Sequence, residues 1–348
     1  VILALLLPAL AAPVPGRVPI GSPHCFGART TKVLTEDGAT IALHHHAGAG
    51  HPVLLVHGIS SNHYFWDLDE EHSFAAWLAD RGHDVWLLDL RGHGDAETDR
   101  RGRPQRAGWH VDEYAKYDVP AAIERIRKVT GHDEVAYVGH SMGGMVGAMY
   151  LAMGGEHLSS ITLVGSPATF TKGVPMSGLA QLGFDVGGAT QWWVDTPKVA
   201  ATAADVGRAI RLPLQEKLYN PENFTPDSIR AMLRRIVSPT SRGEMRQFAR
   251  MLRDERLESW DRTVDYREQL SDVHVPAFAL VGDADQVAAP AWVEAWEGAF
   301  GGPYQEFHAG TAEGLVADYG HLDFGLGERA STEIFPRIEA WLLRYPGR

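Results

Sequence analysis

The sequence predicts an α/β fold, a mostly parallel sheet covered by helices on both faces, and three observations carry that expectation. Short, continuous apolar runs of buried-strand type alternate with amphipathic helical patterns along most of the chain. One run, Val135 to Val138, leads into Gly139-His140-Ser141-Met142-Gly143, a G-x-S-x-G turn opening a helix of small residues. With 45% hydrophobic residues over 348 positions, the chain can bury a large core as one α/β unit carrying an insertion.

Taken in order, Thr31 to Glu36 and Thr40 to His46 form a predicted hairpin around the turn dipeptide Asp37-Gly38. Pro52 to Val56 and Asp84 to Asp89 are the next strands, with Phe74, Trp77 and Leu78 at helical spacing between them. Tyr114, Val119, Ala122, Ile123, Ile126 and Val129 mark one face of a helix from Asp112 to Thr130. Val135 to Val138, Ile161 to Val164 and Ala277 to Val281 continue the sheet, and a short strand precedes His308. Trp292 to Phe300 and Ile334 to Leu343 supply further helices, Pro336 marking a kink or a first turn. From 168 to 270 helical patterns such as Ile229 to Val237 and Glu244 to Leu252 follow one another without strands. The expected division is therefore a core of 30–167 with 271–348, interrupted by a helical cap at 168–270 and preceded by an apolar segment and linker at 1–29. Such a cap would overhang the carboxyl ends of the strands, where open α/β sheets bind ligands.

The G-x-S-x-G turn predicts a strained strand-to-helix elbow with Ser141 as nucleophile, because only small residues at Gly139 and Gly143 let strand and helix approach closely enough. A serine hydroxyl needs a base to take its proton and a third group to orient that base. The strand ending at Val281 runs into Gly282-Asp283-Ala284-Asp285, which offers Asp285 as the acid, with Asp283 as the alternative. Of seventeen histidines only His308 and His321 follow it; His321, in the loop before the last helix, is the expected base, and His308 is expected to be structural. The oxyanion donors are expected from the N–H groups of Met142, just after the nucleophile, and of Ile59, in His57-Gly58-Ile59 after a strand. His57 is then a histidine of the oxyanion loop, Gly58 leaves room for a carbonyl to approach, and His140 supports the elbow. Trp192 and Trp193 are candidates for lining an acyl pocket. Arg91-Gly92-His93-Gly94 is expected to be a structural loop.

A net charge of −12 excludes a nucleic-acid partner and electrostatic docking on anionic membranes. The single cysteine, Cys25, excludes an intramolecular disulfide, and no Cys/His cluster has zinc spacing. The consecutive His44, His45 and His46 cannot converge on one ion, because strand neighbours face opposite ways. No metal or cofactor is expected. Val1 to Leu7, too short to span a bilayer, precedes Ala9-Leu10-Ala11, which has the form of a signal-peptidase site; export is expected, with membrane contact through this segment or the cap. The sequence leaves the oligomeric state open.

With these residues in place, the chain resembles the α/β-hydrolase superfamily and, within it, the acid lipases of the gastric and lysosomal type. The likeness lies in the elbow, in the segment from Ser73 to Leu87, in Asp112 to Ile123, and in Gly320-His321-Leu322-Asp323-Phe324, with a fainter echo in Pro239 to Met245 and Trp260-Asp261. The resemblance implies an α/β-hydrolase fold and an ester hydrolase with Ser141, Asp285 and His321 as triad. The elbow departs from those lipases in carrying Met142-Gly143-Gly144 where they have Gln-Gly-Thr, so a triglyceride substrate does not follow. The residues and the resemblance together predict a serine esterase or lipase for medium-chain or lipid-like esters. A polyester depolymerase, a thioesterase, a serine acyltransferase or perhydrolase, and a non-catalytic binding module are the alternatives.

Overall fold

The chain folds around one mixed sheet whose parallel part aims every strand end at the same edge. Residues 28–96, 108–171 and 217–347 are described in this computed structural model, with Asp185 and the strand Trp193–Val194. The strands are β1 (Arg29–Leu34), β2 (Thr40–His46), β3 (Pro52–Val56), β4 (Asp84–Asp89), β5 (Val135–His140), β6 (Leu158–Val164), β7 (Trp193–Val194), β8 (Thr240–Ser241), β9 (Ala277–Gly282) and β10 (Tyr304–Ala309). Eight of them form the sheet in the order β1-β2-β4-β3-β5-β6-β9-β10. The β1–β2 hairpin joins antiparallel, and all pairings from β4 to β10 are parallel.

The helices that matter to the site are α1 (Phe74–Ala79), α2 (Val119–Thr130), α3 (Met142–Ala152), α4 (Pro226–Arg235), α5 (Arg242–Asp254), α6 (Pro290–Glu294), α7 (Asp323–Leu326) and α8 (Phe335–Arg344). The central strands are apolar on both faces because each face is covered. Along β3 the side chains alternate between two cores: Val53 and Leu55 join Phe65, Phe335 and Trp341, whereas Leu54 and Val56 join Tyr114, Met145 and Val146. α3 lies wholly inside, buried from Met142 to Leu151, which explains why its sequence is apolar all round.

Several elements differ from the expectation. The helix before β5 opens with Val111–Glu113 and passes through a π-helical turn, Tyr114–Asp118, before α2; the wide turn buries Tyr114, Ala115 and Asp118 together. The expected helix from Trp292 to Phe300 stops at Glu294, and Gly298 turns with φ +70°. Two indole N–H groups of this stretch are used as struts, Trp292 within α6 to the Thr171 carbonyl and Trp296 beyond it to the Ser166 carbonyl. The insertion holds an antiparallel ribbon, β7 with β8, which a helix-only reading missed because two-residue strands carry no periodicity. Pro336 sits in the first turn of α8, where its missing N–H costs nothing.

Arg91 ties three remote pieces together at the end of β4. It is 4% exposed and places Nη1 and Nη2 on Asp37 of the hairpin turn (2.6 and 2.9 Å) and Nε on Asp118 of the π turn (2.8 Å). Its own N–H also donates to Asp118 at 2.9 Å. Arg91→Ala leaves Asp118 buried without its countercharge, an expected loss of about 3–5 kcal/mol. Thermal denaturation should show a fall in melting temperature on the order of 10 °C. Arg91→Lys should recover little of it, because an ammonium cannot span both carboxylates. A wild-type melting curve for the alanine variant would refute this role.

Candidate active site

Ser141 sits between β5 and α3 with φ +52° and ψ −122°, a conformation that non-glycine residues rarely adopt. Contacts that admit only glycine enforce it. A Cβ on Gly139 would lie 2.4 Å from the Gly143 carbonyl carbon, and one on Gly143 would lie 2.5 Å from the His57 oxygen. The turn is anchored to the next strand by the Ser141 N–H, which donates to the Val164 oxygen at 2.8 Å.

The acid and base come from the ends of β9 and of the loop beyond β10. His321 Nδ1 and Asp285 Oδ2 are 2.8 Å apart, with the two residues 5% and 3% exposed. The other carboxylate oxygen of Asp285 accepts from the N–H groups of Val287 and Ala288, both at 2.8 Å, so the acid is fixed before it meets the histidine. Asp285 and not Asp283 is thus the partner of His321. Asp283 instead meets His308 at 3.2 Å, and His308 also meets Glu306 at 3.1 Å. Burial pulls the His308 pKa down, but those two carboxylates outweigh it and raise it.

The pair and the elbow share one neighbourhood. A Cβ on Gly165, the residue after the Ser141 acceptor Val164, would lie 3.3 Å from Asp285 Oδ2 and 3.6 Å from His321 Nδ1. His140, beside Ser141, donates from Nε2 to the His321 carbonyl at 2.9 Å, with ring centroids 4.6 Å apart. Packed flat on Phe65 at 3.9 Å and fully buried, His140 is held well below its ordinary pKa by desolvation and by His321.

The expected oxyanion loop follows β3. His57 Nδ1 donates to the Gly58 carbonyl at 2.8 Å, and its Nε2 accepts from the Leu90 N–H at 3.3 Å, an arrangement only the neutral ring can make. Because C=O and N–H point oppositely across a trans peptide, holding the Gly58 carbonyl toward His57 turns the Ile59 N–H away from it. Gly58 lies against Ser141: a Cβ there would be 3.0 Å from the Ser141 Cβ. Met142 is the first residue of α3, where an N–H has no intrahelical acceptor. The two proposed donors therefore flank Ser141 from different segments.

Other candidates fall outside this cluster. His44 bonds Asp89 (3.0 Å), His45 bonds Asp84 (2.7 Å) and His46 bonds Asp67 (2.8 Å), so the three consecutive histidines have three different partners. His44, His63 and Asp89 do place one potential ligand atom each within 4.8 Å of one another. The Asp89 carboxylate already accepts from both imidazoles and from the Asp95 N–H at Oδ2 and from the His63 N–H at Oδ1. The group is an interlock between β2, β4 and the loop after β3. Trp192 lies outside the described residues; the Trp193 backbone pairs with Ser241 in the ribbon, and its side chain is likewise outside the description.

The sequence reading passed over Asn220, Asn223 and Asp323, which surround the His321 loop. Asp323 is fully buried and takes hydrogen bonds from Asn223 Nδ2 (2.7 Å) and the Asn220 N–H (3.1 Å). Burial, reinforced by the charge of Asp285, pushes its pKa up to about 7 against those hydrogen bonds. Two residues after the base, Asp323 was visible as part of the resembling segment; its partners, about 100 positions earlier, carried no local signal.

Burial lowers the His57 pKa to about 4 from an ordinary 6.5. Above pH 6.5 the ring is neutral folded or unfolded, and its contribution is fully present. As pH falls from 6.5 toward 4 the unfolded chain takes up a proton that the folded protein refuses, at a cost of about 3 kcal/mol. His57→Gln has no such titration, so the stability gap between wild type and variant should narrow steadily from pH 7 to pH 4 in denaturant melts. A gap that stays constant over that range would contradict a neutral His57.

Comparison with known proteins identifies the fold family. The profile of the alpha/beta hydrolase fold family matches residues 51–328. Gastric triacylglycerol lipase of Homo sapiens is 35% identical over 129 residues, 33% of this chain and 32% of that protein, so the match spans about a third of the relative's length. Triacylglycerol lipase 2 of Arabidopsis thaliana is 25% identical over 94% of this chain and 88% of its own. In three dimensions a thermophilic esterase from Thermogutta terrifontis superposes with a TM-score of 0.63 at 19% identity, covering 92% of this chain and 100% of that one. The profile match spans most of the chain, which belongs to the α/β-hydrolase fold family.

Proposed function

We propose that this protein is a serine carboxylic-ester hydrolase in which Ser141, His321 and Asp285 form the triad. The observation that carries the reading is the 2.8 Å Asp285–His321 hydrogen bond, set beside a strained elbow serine. With Nδ1 committed to Asp285, His321 keeps Nε2 for the Ser141 proton. The serine oxygen attacks the ester carbonyl, the N–H groups of Ile59 and Met142 hold the oxyanion, and His321 returns the proton to the departing alcohol. Water, deprotonated by the same imidazole, then releases the acid from the acyl-enzyme.

The lipase relatives support medium-chain or lipid-like esters as substrates. We further propose that 168–270 works as a cap beside the strand ends and that the N-terminal apolar segment directs export. No helix among the described residues is long and apolar enough to cross a membrane.

Hydrolysis of p-nitrophenyl esters from acetate to palmitate tests the assignment. Ser141→Ala and His321→Ala should each lower kcat by about 10⁴-fold or more. His308→Ala should leave kcat within about two-fold, because its partners Asp283 and Glu306 lie apart from the triad. An unchanged rate in Ser141→Ala would refute the acyl-enzyme. Product analysis with a competing alcohol would reveal acyl transfer if ester outweighs acid.

A further inference from the structure

The loop bearing His321 is closed by a side chain from a distant part of the sequence. Asn223, 1% exposed, donates from Nδ2 to the Asp318 carbonyl at 2.9 Å and to Asp323 Oδ2 at 2.7 Å, one contact on either side of His321. Its Oδ1 accepts from Arg329 Nη2 at 2.6 Å, which decides the orientation of the amide. The backbone of the same residue is also occupied, its N–H donating to the Asn220 oxygen and its oxygen accepting from the Glu328 N–H. Asn220 reinforces the closure, with Nδ2 on the Asp318 carbonyl at 2.7 Å. Leu322, next to the base, donates its N–H to the Leu218 oxygen at 3.0 Å.

Both groups that Asn223 bridges are acceptors, and Asp323 is fully buried. Without Asn223, the Asp318 carbonyl keeps only Asn220 Nδ2 and Asp323 Oδ2 keeps only the longer Asn220 N–H contact at 3.3 Å, so the buried carboxyl loses its shortest hydrogen bond and the direct tie across the loop is gone. The base would move with the loop, since the His321 imidazole depends on its main chain to keep register with Asp285 and Ser141. His140 holds that main chain at one point only, the His321 carbonyl.

We propose that Asn223 is a positioning residue for His321: its amide staples Asp318 to Asp323 and so fixes the imidazole between Asp285 and Ser141. The proposal rests on the ester-hydrolase reading. Asn223 touches no reacting atom; it acts through the loop. Asn223→Asp is expected to be worse than Asn223→Ala, because it faces Asp323 with a second carboxylate.

The test measures p-nitrophenyl ester kinetics per active site, titrated with a fluorophosphonate at Ser141, together with melting temperature and the proton resonance of the Asp285–His321 hydrogen bond. Displacing a catalytic group by about 1 Å costs about 100-fold. Asn223→Ala should therefore lose about 10-fold to 100-fold in kcat per titrated site, with KM within two-fold, a parallel fall in phosphonylation rate, and a shifted or broadened resonance. A folded Asn223→Ala with wild-type kcat per site and an unmoved resonance would overturn the proposal, whatever its melting temperature. If that variant does not fold, Asn223→Ser decides, since its short hydroxyl cannot span the Asp318 carbonyl and Asp323: a several-fold loss in kcat per site supports the staple and a wild-type kcat refutes it. A wild-type enzyme that fluorophosphonate leaves unlabelled at Ser141 would remove the ester-hydrolase reading itself, and the staple with it. Labelled wild type with unaffected variants would remove the staple alone.

Discussion

The contact of backbone on backbone at the elbow is the constraint on which the rest of the site depends. Where β5 turns into α3, Gly143 rides on the His57 and Val56 carbonyls and Gly139 rides on Gly143 and Gly144, with no room for a methyl group in either place. That closeness forces Ser141 to positive φ, strain on the order of 1–3 kcal/mol that the surrounding sheet must offset. It also explains the buried, all-apolar α3: a helix this close to the strands has no face left for water. The oxyanion loop, the acceptor Val164 and the glycine at 165 then take positions measured from the same turn.

Around that turn burial keeps the imidazoles of His57, His93 and His140 neutral at ordinary pH. His57, lowered to about 4, and His93, lowered to about 3, are each held there first by burial, and each has a ring nitrogen committed to a backbone carbonyl. His321 differs in having a carboxylate on Nδ1 instead of a carbonyl. Unlike His57 and His140, it has a carboxylate at hydrogen-bond distance. A base in a low-dielectric pocket needs that partner to accept a proton from serine. The second carboxyl of the region, Asp323, is kept off the imidazole by its bonds to Asn223 and Asn220.

The sheet, the elbow and the Asp–His pair were legible in the sequence because each has a local signature. Buried strands are apolar runs, the elbow is five residues long, and chain order narrows the base to His308 or His321. Choosing Asp285 over Asp283 was less secure, since both stand in one turn; the structure separates them through the N–H groups of Val287 and Ala288, which hold Asp285, and through His308, which holds Asp283. The π turn at Tyr114–Asp118 was invisible because helical spacing does not reveal it and the Arg91 that bonds its Asp118 comes from outside the helix. Asn223 was invisible for the same reason: an asparagine in Asn220-Pro221-Glu222-Asn223 is indistinguishable from a turn residue until its partners about 100 positions away are known.

Strand periodicity marks where the parallel sheet pauses, and so it draws a boundary at 168 and at 270; the interactions cross that boundary repeatedly. Met232 and Leu233 of α4 pack in the core that contains Val53 and Phe335, and Met245 and Phe248 of α5 pack in the core that contains Val56 and Met145. Ser60 of the oxyanion loop pairs with Thr240, and Asn62 bonds the Arg235 carbonyl and Ser238. Asn220 and Asn223 grip the base loop from the other side. The described stretches after Lys217 thus bond both loops beside Ser141, the one after β3 through Ser60 and Asn62 and the one bearing His321 through Asp318 and Asp323. A segment stitched to the Ser60–Asn62 loop and to the Asp318–Asp323 loop is part of the framework around Ser141, whereas a lid merely resting on the strand ends would bond neither loop.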